Sequence, residues 1–495
     1  MTKILKHIIL ALILYFYIWT ATSGRFEFNF DYSKPNLYNK LTDAFVHGHM
    51  YLFQKPPEEL LKTPNPYHPM HSFQYREMGL HDLSLYKRKF YLYYGPTPVI
   101  LLYLPYYLFT LNRIPDNLAV LTFLFLSLIV SVELLYYIKK KYFGNIPEHL
   151  MLISIGLLGF ATLSPYLLRR PIMYEVAISC ASFLLLLAVN FFCKALHQDR
   201  FMLLFLVLGS LSLGLANGAR PHFILVGIIL IFFLCVLLGK NKEFPSKSVC
   251  ICLFVPFIAC LILLFSYNYF RFEDIREFGL RYQLSRVGMG IELRPHRMHL
   301  NLYNYLFVKP IFRPPFPFVH ANVWDATYYP KPYEKILGLF PCIPFITILL
   351  FGFLYLVFRR YLSSKYSVKD DIEFPTKEFQ VILLPGIIIF IFLILFGFVT
   401  LRYVADYIVF FILSACLIMF YFYKLFKNQK LLKSGLLAFV YITAIYSMLV
   451  GVAISIRGPV YGLEFDNPAE FRKIESYFQP LSDTWNKYLE NEFSE

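Results

Sequence analysis

The chain has 495 residues, of which 58% are hydrophobic and 16% charged, and its formal net charge is +15. Soluble domains carry about a quarter charged residues, so the composition excludes an ordinary soluble enzyme. The positive charge does not argue for nucleic acid as a partner: lysine and arginine gather in cytoplasmic loops and against anionic headgroups of membrane lipids, and no nucleic-acid-binding motif occurs.

Taken in chain order, Lys3 and Lys6 precede an apolar run to about Thr20, and Ala-Thr-Ser-Gly follows at 21–24. This is a signal peptide cleaved after Ser23 or an uncleaved first helix. Tyr15, Tyr17 and Trp19 as interface anchors favour the helix. Either way the N-terminus is cytoplasmic and residue 24 onward emerges outside. Apolar runs then recur at about 118–138, 150–168, 173–193, 201–216, 222–239, 248–270, 335–358, 379–400, 404–426 and 435–456. A span needs roughly 20 apolar residues and must be helical, because lipid offers the backbone no hydrogen bonds. The expectation is an all-α polytopic membrane protein with about eleven spans.

The run 97–111 is short and carries Pro98 and Pro105. If it does not cross, the cytoplasmic loops hold Lys139-Lys140-Lys141, Lys194 and Arg200, Lys240, Lys242 and Lys247, Arg359, Arg360, Lys365 and Lys369, and Lys424, Lys427, Lys430 and Lys433. If it crosses, every one of these clusters flips outside. The positive-inside rule selects the first arrangement, so 97–111 is a juxtamembrane or re-entrant helix. The multi-span domain is then 1–456, with a long first external loop at 24–96 and a second at 271–334. The external C-terminal tail, 457–495, has Asn467-Pro468-Ala469-Glu470 as a helix start. Phe471, Ile474, Phe478, Leu481 and Trp485 follow at helical spacing, the pattern of an amphipathic helix. The eight cysteines all fall in apolar runs and read as core residues.

Polar groups at membrane depth are costly, and here they gather at the outer helix ends. Arg169 and Arg170 sit near Tyr174-Glu175, Arg220 and His222 follow Asn217-Gly218, and Arg402-Tyr403 precede Asp406; Arg281 lies in the second loop. Each arginine alone can be an interface anchor. Together, on the face where arginine should be scarce, they point to an anion, and a phosphate suits guanidinium best. The first loop adds carboxylates. Asp43 lies in a short helix read over 41–52, with Leu37, Leu41, Ala44, Phe45 and Tyr51 as its apolar side. Asp82 precedes an aromatic run, and Asp31 and Asp325 are further external acids. Each of these acids also fits a cap or turn. His47, His49, His68, His71 and His81 match no ligand spacing, so no metal ligand is assigned. No phosphate-binding glycine loop or nucleophile elbow is present.

A first helix leading outside, a long loop bearing acids and juxtamembrane helices, and many later spans resemble the GT-C superfamily of membrane glycosyltransferases. The segments that carry the likeness are 41–52 with Asp43-Ala44-Phe45 and Gly48, the Gly95-Pro96-Thr97-Pro98 run into a short apolar helix, and Arg402-Tyr403-Val404-Ala405-Asp406. The adjacent acidic pair of the protein mannosyltransferase branch is not there, since Ala44 follows Asp43. The resemblance implies a polyprenyl-phosphate sugar as donor, a glycan, lipid or protein hydroxyl as acceptor, membrane lipids as surroundings, and inversion at the sugar. It implies Asp43 as the general base with Asp82 as rival. Arg169, Arg170, Arg220, Arg281 and Arg402 become phosphate ligands, and His222, Tyr403 and Asp406 their support. No cofactor is assigned, although a divalent metal is compatible with such chemistry. A bacterial inner membrane is expected in preference to an endoplasmic reticulum. The competing readings are a lipid-linked sugar flippase or transporter, and a non-catalytic assembly subunit.

Overall fold

The computed structural model describes residues 2–31, 36–197, 199–238, 246–285, 293–323, 335–365, 373–397, 399–458 and 462–492. Asp325, one of the expected external acids, lies outside the described residues. The chain is an integral, multi-pass helical membrane protein. Among the described residues, eight helices are long and apolar enough to cross a bilayer: Ile4–Ala21, Asp116–Tyr142, Glu148–Leu168, Met173–Ala195, Ser246–Phe272, Thr376–Leu395, Ile408–Leu425 and Lys430–Arg457. Four shorter apolar helices, Val99–Thr110, Met202–Asn217, Phe223–Leu238 and Pro344–Phe358, accompany them. Three of these fall on runs read as spans. The fourth is the run that charge assigned to the membrane surface. At 1.5 Å per residue, Val99–Thr110 is about 18 Å long, well short of the roughly 30 Å hydrocarbon core. Its last turn is bare, with Phe109 89% exposed, as befits a helix whose apolar face meets something other than protein.

The chain folds as two compact units. The first comprises residues 1–27, 128–170 and 296–495. Within it, Tyr17 donates its hydroxyl to the Gly159 carbonyl at 2.7 Å, fastening the first helix to Glu148–Phe160. Gly451 lets the long helix Lys430–Arg457 approach the Phe160 carbonyl so closely that a Cβ would overlap it. Small residues at helix contacts substitute here for a hydrophobic driving force that lipid does not supply. The lysine-rich end is laced by polar contacts: Lys139 reaches Glu148 at 2.9 Å, Tyr142 donates to Glu378 at 2.7 Å, and Lys424 donates to the Tyr142 carbonyl at 3.0 Å. The tail helix Pro468–Glu492 starts with Asn467 Oδ1 accepting from the Glu470 amide at 3.2 Å. Its apolar side rests on a cluster of Phe316, Ile456, Leu463 and Phe471.

The second unit comprises residues 28–127 and 171–295. Met202–Asn217 packs along both Met173–Ala195 and Ser246–Phe272. Its glycines make this fit: a side chain at Gly209 would meet the Phe192 ring, and one at Gly214 would meet Cys260. The segment 24–96 is not only helical, as expected, but folds around a β-hairpin. Leu83–Tyr86 pairs antiparallel with Lys89–Leu92, Leu83 opposite Leu92 and Tyr86 opposite Lys89. The two turn residues, Lys87 and Arg88, both take positive φ, 44° and 60°, the conformation of a type I′ turn that asparagine and glycine usually supply. Residues 282–284 add a third strand-like edge, with Leu85 N bonded to the Tyr282 carbonyl at 2.9 Å and Leu284 N to the Leu83 carbonyl at 2.8 Å.

Candidate functional site

The hairpin fixes Asp82. Its amide donates to the Leu284 carbonyl at 2.9 Å, and its φ of 62° places it in the left-handed region just ahead of the strand. Aspartate tolerates that region better than most residues, but the conformation still costs of order 1 kcal/mol. The carboxylate is held inside, the residue being 7% exposed, and it accepts a hydrogen bond from the Tyr174 hydroxyl. Tyr174 stands in the first turn of Met173–Ala195. His81 Nε2 approaches the same carboxylate oxygen at 3.6 Å.

The other end of the hairpin is pinned by Arg271. This guanidinium is 1% exposed, donates to the Leu92 carbonyl and to Asn268 Oδ1 at 2.6 Å each, and lies over the Tyr267 ring at 4.0 Å. A buried cation is tolerable only with such partners. Beyond Leu92 the chain runs through a strap, Tyr93 to Thr97. The rings of Tyr93 and Tyr94 stand 4.0 Å apart, and Tyr94 meets Tyr174 edge-on at 5.9 Å. Burial, followed by the neighbouring Tyr94 and Asp82, holds the Tyr93 phenol well above its ordinary range. It is therefore a hydrogen-bond donor at any physiological pH.

The strap then lies backbone to backbone on the turn after Met202–Asn217. A Cβ on Gly95 would overlap the Gly218 carbonyl, and one on Gly218 would overlap the Thr97 hydroxyl. Thr97 donates its amide to the Gly218 carbonyl at 3.3 Å and its hydroxyl to the Leu215 carbonyl at 2.9 Å. Two residues on, Arg220 is 7% exposed. Burial, then the Arg220 cation, drives the His222 imidazole well below its ordinary range, so it is neutral. One continuous set of contacts thus links a buried carboxylate, three tyrosines, and a turn bearing an arginine and a neutral histidine.

Asp43 is placed differently. Its helix begins at Leu37 and ends at Val46, so Asp43 lies near the end rather than the start. The reason is apolar: Leu37, Tyr38, Leu41 and Ala44 are the buried face, and the first two precede the expected start. The Asp43 carboxylate forms an ion pair with Arg113 at 2.8 Å, with side chains 25% and 42% exposed. Asn39 of the same helix donates to the Ile114 carbonyl at 2.9 Å, so the helix is fastened to 113–114 at two points. Asp31 is exposed. Arg281 is also exposed, with its amide on Glu277 Oε1 at 3.3 Å. Among the described residues, no group of three or more His, Cys, Asp or Glu side chains is placed to hold a metal ion.

The remaining candidates belong to the first unit. Arg169 is 3% exposed and partly engaged by protein: its Nε donates to the Ser455 carbonyl at 3.0 Å, Nη1 to the Ser23 hydroxyl at 3.2 Å, and the guanidinium lies 5.4 Å from the Trp19 ring centroid, while Nη2 is buried with no hydrogen bond among the described residues. Arg170 is half-buried. Arg402 and Asp406 are both buried, on and just after the short helix Leu401–Val404. Tyr403 is half-buried, its ring 5.8 Å from the Arg402 guanidinium.

A comparison with protein-family models found no match, and neither did one with curated proteins. Solved structures do resemble the chain. The apo oligosaccharyltransferase of Archaeoglobus fulgidus aligns at 12% identity over 95% of this chain and 59% of that one, with a TM-score of 0.48. The same organism's AglB, in complex with an inhibitory peptide and a dolichol-phosphate, aligns at 12% identity over 95% and 59%, TM-score 0.45. ArnT from Cupriavidus metallidurans, bound to undecaprenyl phosphate, aligns at 11% identity over 90% of this chain and 76% of that one, TM-score 0.41. The chain spans 59% of the length of the archaeal enzymes.

Proposed function

We propose that the chain is a membrane glycosyltransferase that moves a sugar from a polyprenyl-phosphate donor to an acceptor hydroxyl at the non-cytoplasmic face. The observation that carries this reading is the buried Asp82, oriented by Tyr174 and linked through Tyr94 and Gly95 to the turn that bears Arg220 and His222. Transfer needs two things: a carboxylate to take the acceptor's proton, and fixed positive groups where charge develops on the departing phosphate. In a single displacement the acceptor oxygen attacks C1 of the sugar while its proton passes to Asp82. The C1–O bond to phosphate breaks, and the electron pair leaves with the phosphate toward Arg220, inverting C1. The tyrosines, protonated and close together, supply donors and ring faces for a sugar. Asp43 is the weaker candidate for the base because its lone pairs are engaged by Arg113. The lipids in two of the similar structures, a dolichol-phosphate and undecaprenyl phosphate, are polyprenyl phosphates, the carrier part of the donor proposed here. The test is transfer of radiolabelled sugar from polyprenyl-phosphate donors by the purified chain, with Asp82→Asn alongside. Saturable donor binding without turnover would replace this reading with that of a flippase.

A further inference from the structure

A second polar cluster, in the first unit, has no part in the chemistry above. The helix Lys430–Arg457 ends at Arg457, and Gly458 follows with a φ of 58°. Lys335 points its ammonium at that end, donating to the Gly458 carbonyl at 2.6 Å and the Arg457 carbonyl at 3.4 Å. The small strand pair Ile311–Phe312 and Val319–His320 packs on the same helix, with Ile311 opposite His320. Arg313 is held to this pair by its amide on the Phe318 carbonyl at 3.0 Å.

Arg313, His320, Lys335 and Arg457 therefore converge, and they crowd one another. Burial, then the Arg457 and Arg313 cations, push the His320 imidazole down to about 4. Burial, then Arg457, pushes the Lys335 ammonium down to about 8. Among the described residues, the carboxylate ion-paired with this group is Glu464, half exposed and at 3.8 Å from Arg457 Nη1. His320 Nε2 and Arg457 Nε are buried and make no hydrogen bond among the described residues. Like charges gathered in a partly desolvated place carry a standing cost, and an anion removes it. The cluster caps a membrane span, which puts it at the depth of lipid phosphates.

We infer that Arg313, Lys335 and Arg457 form a binding niche for a phosphate oxyanion, with His320 lining it. Guanidinium and ammonium groups suit this ligand because its several oxygens accept from a fork and from a point charge at once. The inference does not depend on the glycosyltransferase reading. The phosphate could come from a lipid headgroup or from solution, and two probes separate the sources. The full chain in phosphatidylcholine nanodiscs is titrated with phosphatidylglycerol, read by native mass spectrometry, and with inorganic pyrophosphate, read by calorimetry. At least one probe should bind saturably, and Arg457→Gln and Lys335→Gln should each weaken it by about tenfold, the typical effect of losing a charge-assisted hydrogen bond. Lys335→Arg should retain binding. Phosphatidylglycerol alone binding means a lipid source, and pyrophosphate alone means a soluble one. If the buried variants misfold, Arg313→Gln decides, since its side chain is exposed: it should weaken binding severalfold. No saturable binding of either probe to the wild type, or equal binding by the Gln variants that fold, would overturn the niche.

Discussion

Asp43 and Asp82 lie in the same loop, 39 positions apart, yet the fold treats them in opposite ways. Asp43 sits on a helix surface, a quarter of its side chain open to solvent (25%), and is ion-paired with Arg113. Asp82 is turned inward by a left-handed backbone, held between a third strand edge and Tyr174. The first arrangement fastens a helix to the segment ahead of the second long span. The second presents a carboxylate that has no arginine partner among the described residues to a cluster of phenols. A carboxylate is made useful to proton transfer by the position its surroundings impose, and only Asp82 has that position built into both backbone and side-chain contacts.

The contrast can be broken or sharpened by substitution. The largest effect is expected at Asp82: Asp82→Asn should lower the transfer rate by about 10²–10⁴-fold, the usual worth of a general base, in protein that retains its melting temperature. Tyr174→Phe removes the hydroxyl that orients Asp82. It should cost about 1–3 kcal/mol in transition-state stabilisation, a roughly 5- to 150-fold fall in kcat/KM, restored by no change in donor concentration. Gly218→Ala sets a methyl against Thr97 and the strap. Thermal unfolding in detergent should show about 1–3 kcal/mol of destabilisation from this overpacking. Arg169→Met should be similar in stability, about 1–3 kcal/mol, because it strips the donors from the Ser455 carbonyl and Ser23. The smallest effect belongs to the partly exposed pair: Arg113→Gln should change stability by less than about 1 kcal/mol and leave transfer within about twofold. A large loss of activity in Arg113→Gln would move the base back to Asp43.

The spans were legible because their signal is length in a medium where only helices are allowed, and 118–138 or 248–270 needs nothing else to declare itself. The shortness of the apolar helix at 97–111 was legible from Pro98, Pro105 and the polar residues that end the run. The hairpin was not, because Lys87-Arg88 adopts a type I′ turn without the asparagine or glycine that usually marks one. The start of the Asp43 helix was placed late although Asn36 before the buried Leu37 is a favoured N-cap residue; its side chain makes no cap and donates instead to the Asp31 carbonyl. The outer-end arginines stood out singly, but their uses did not. Arg169 spends its donors on residues 146 and 286 positions away, and Tyr174 finds Asp82 across 92. Nor could sequence show the use of Arg271, on which Leu92, Asn268 and two rings converge. Polar pairings of this kind are decided by tertiary geometry and leave no periodic trace.

The account rests most directly on one assay: transfer of labelled sugar from a polyprenyl-phosphate donor by the purified chain, comparing wild type, Asp82→Asn and Asp43→Asn at matched folding. Turnover that collapses with Asp82→Asn and survives Asp43→Asn within about an order of magnitude, well short of the loss expected of a general base, is the predicted result. Turnover that survives Asp82→Asn and collapses with Asp43→Asn would contradict it.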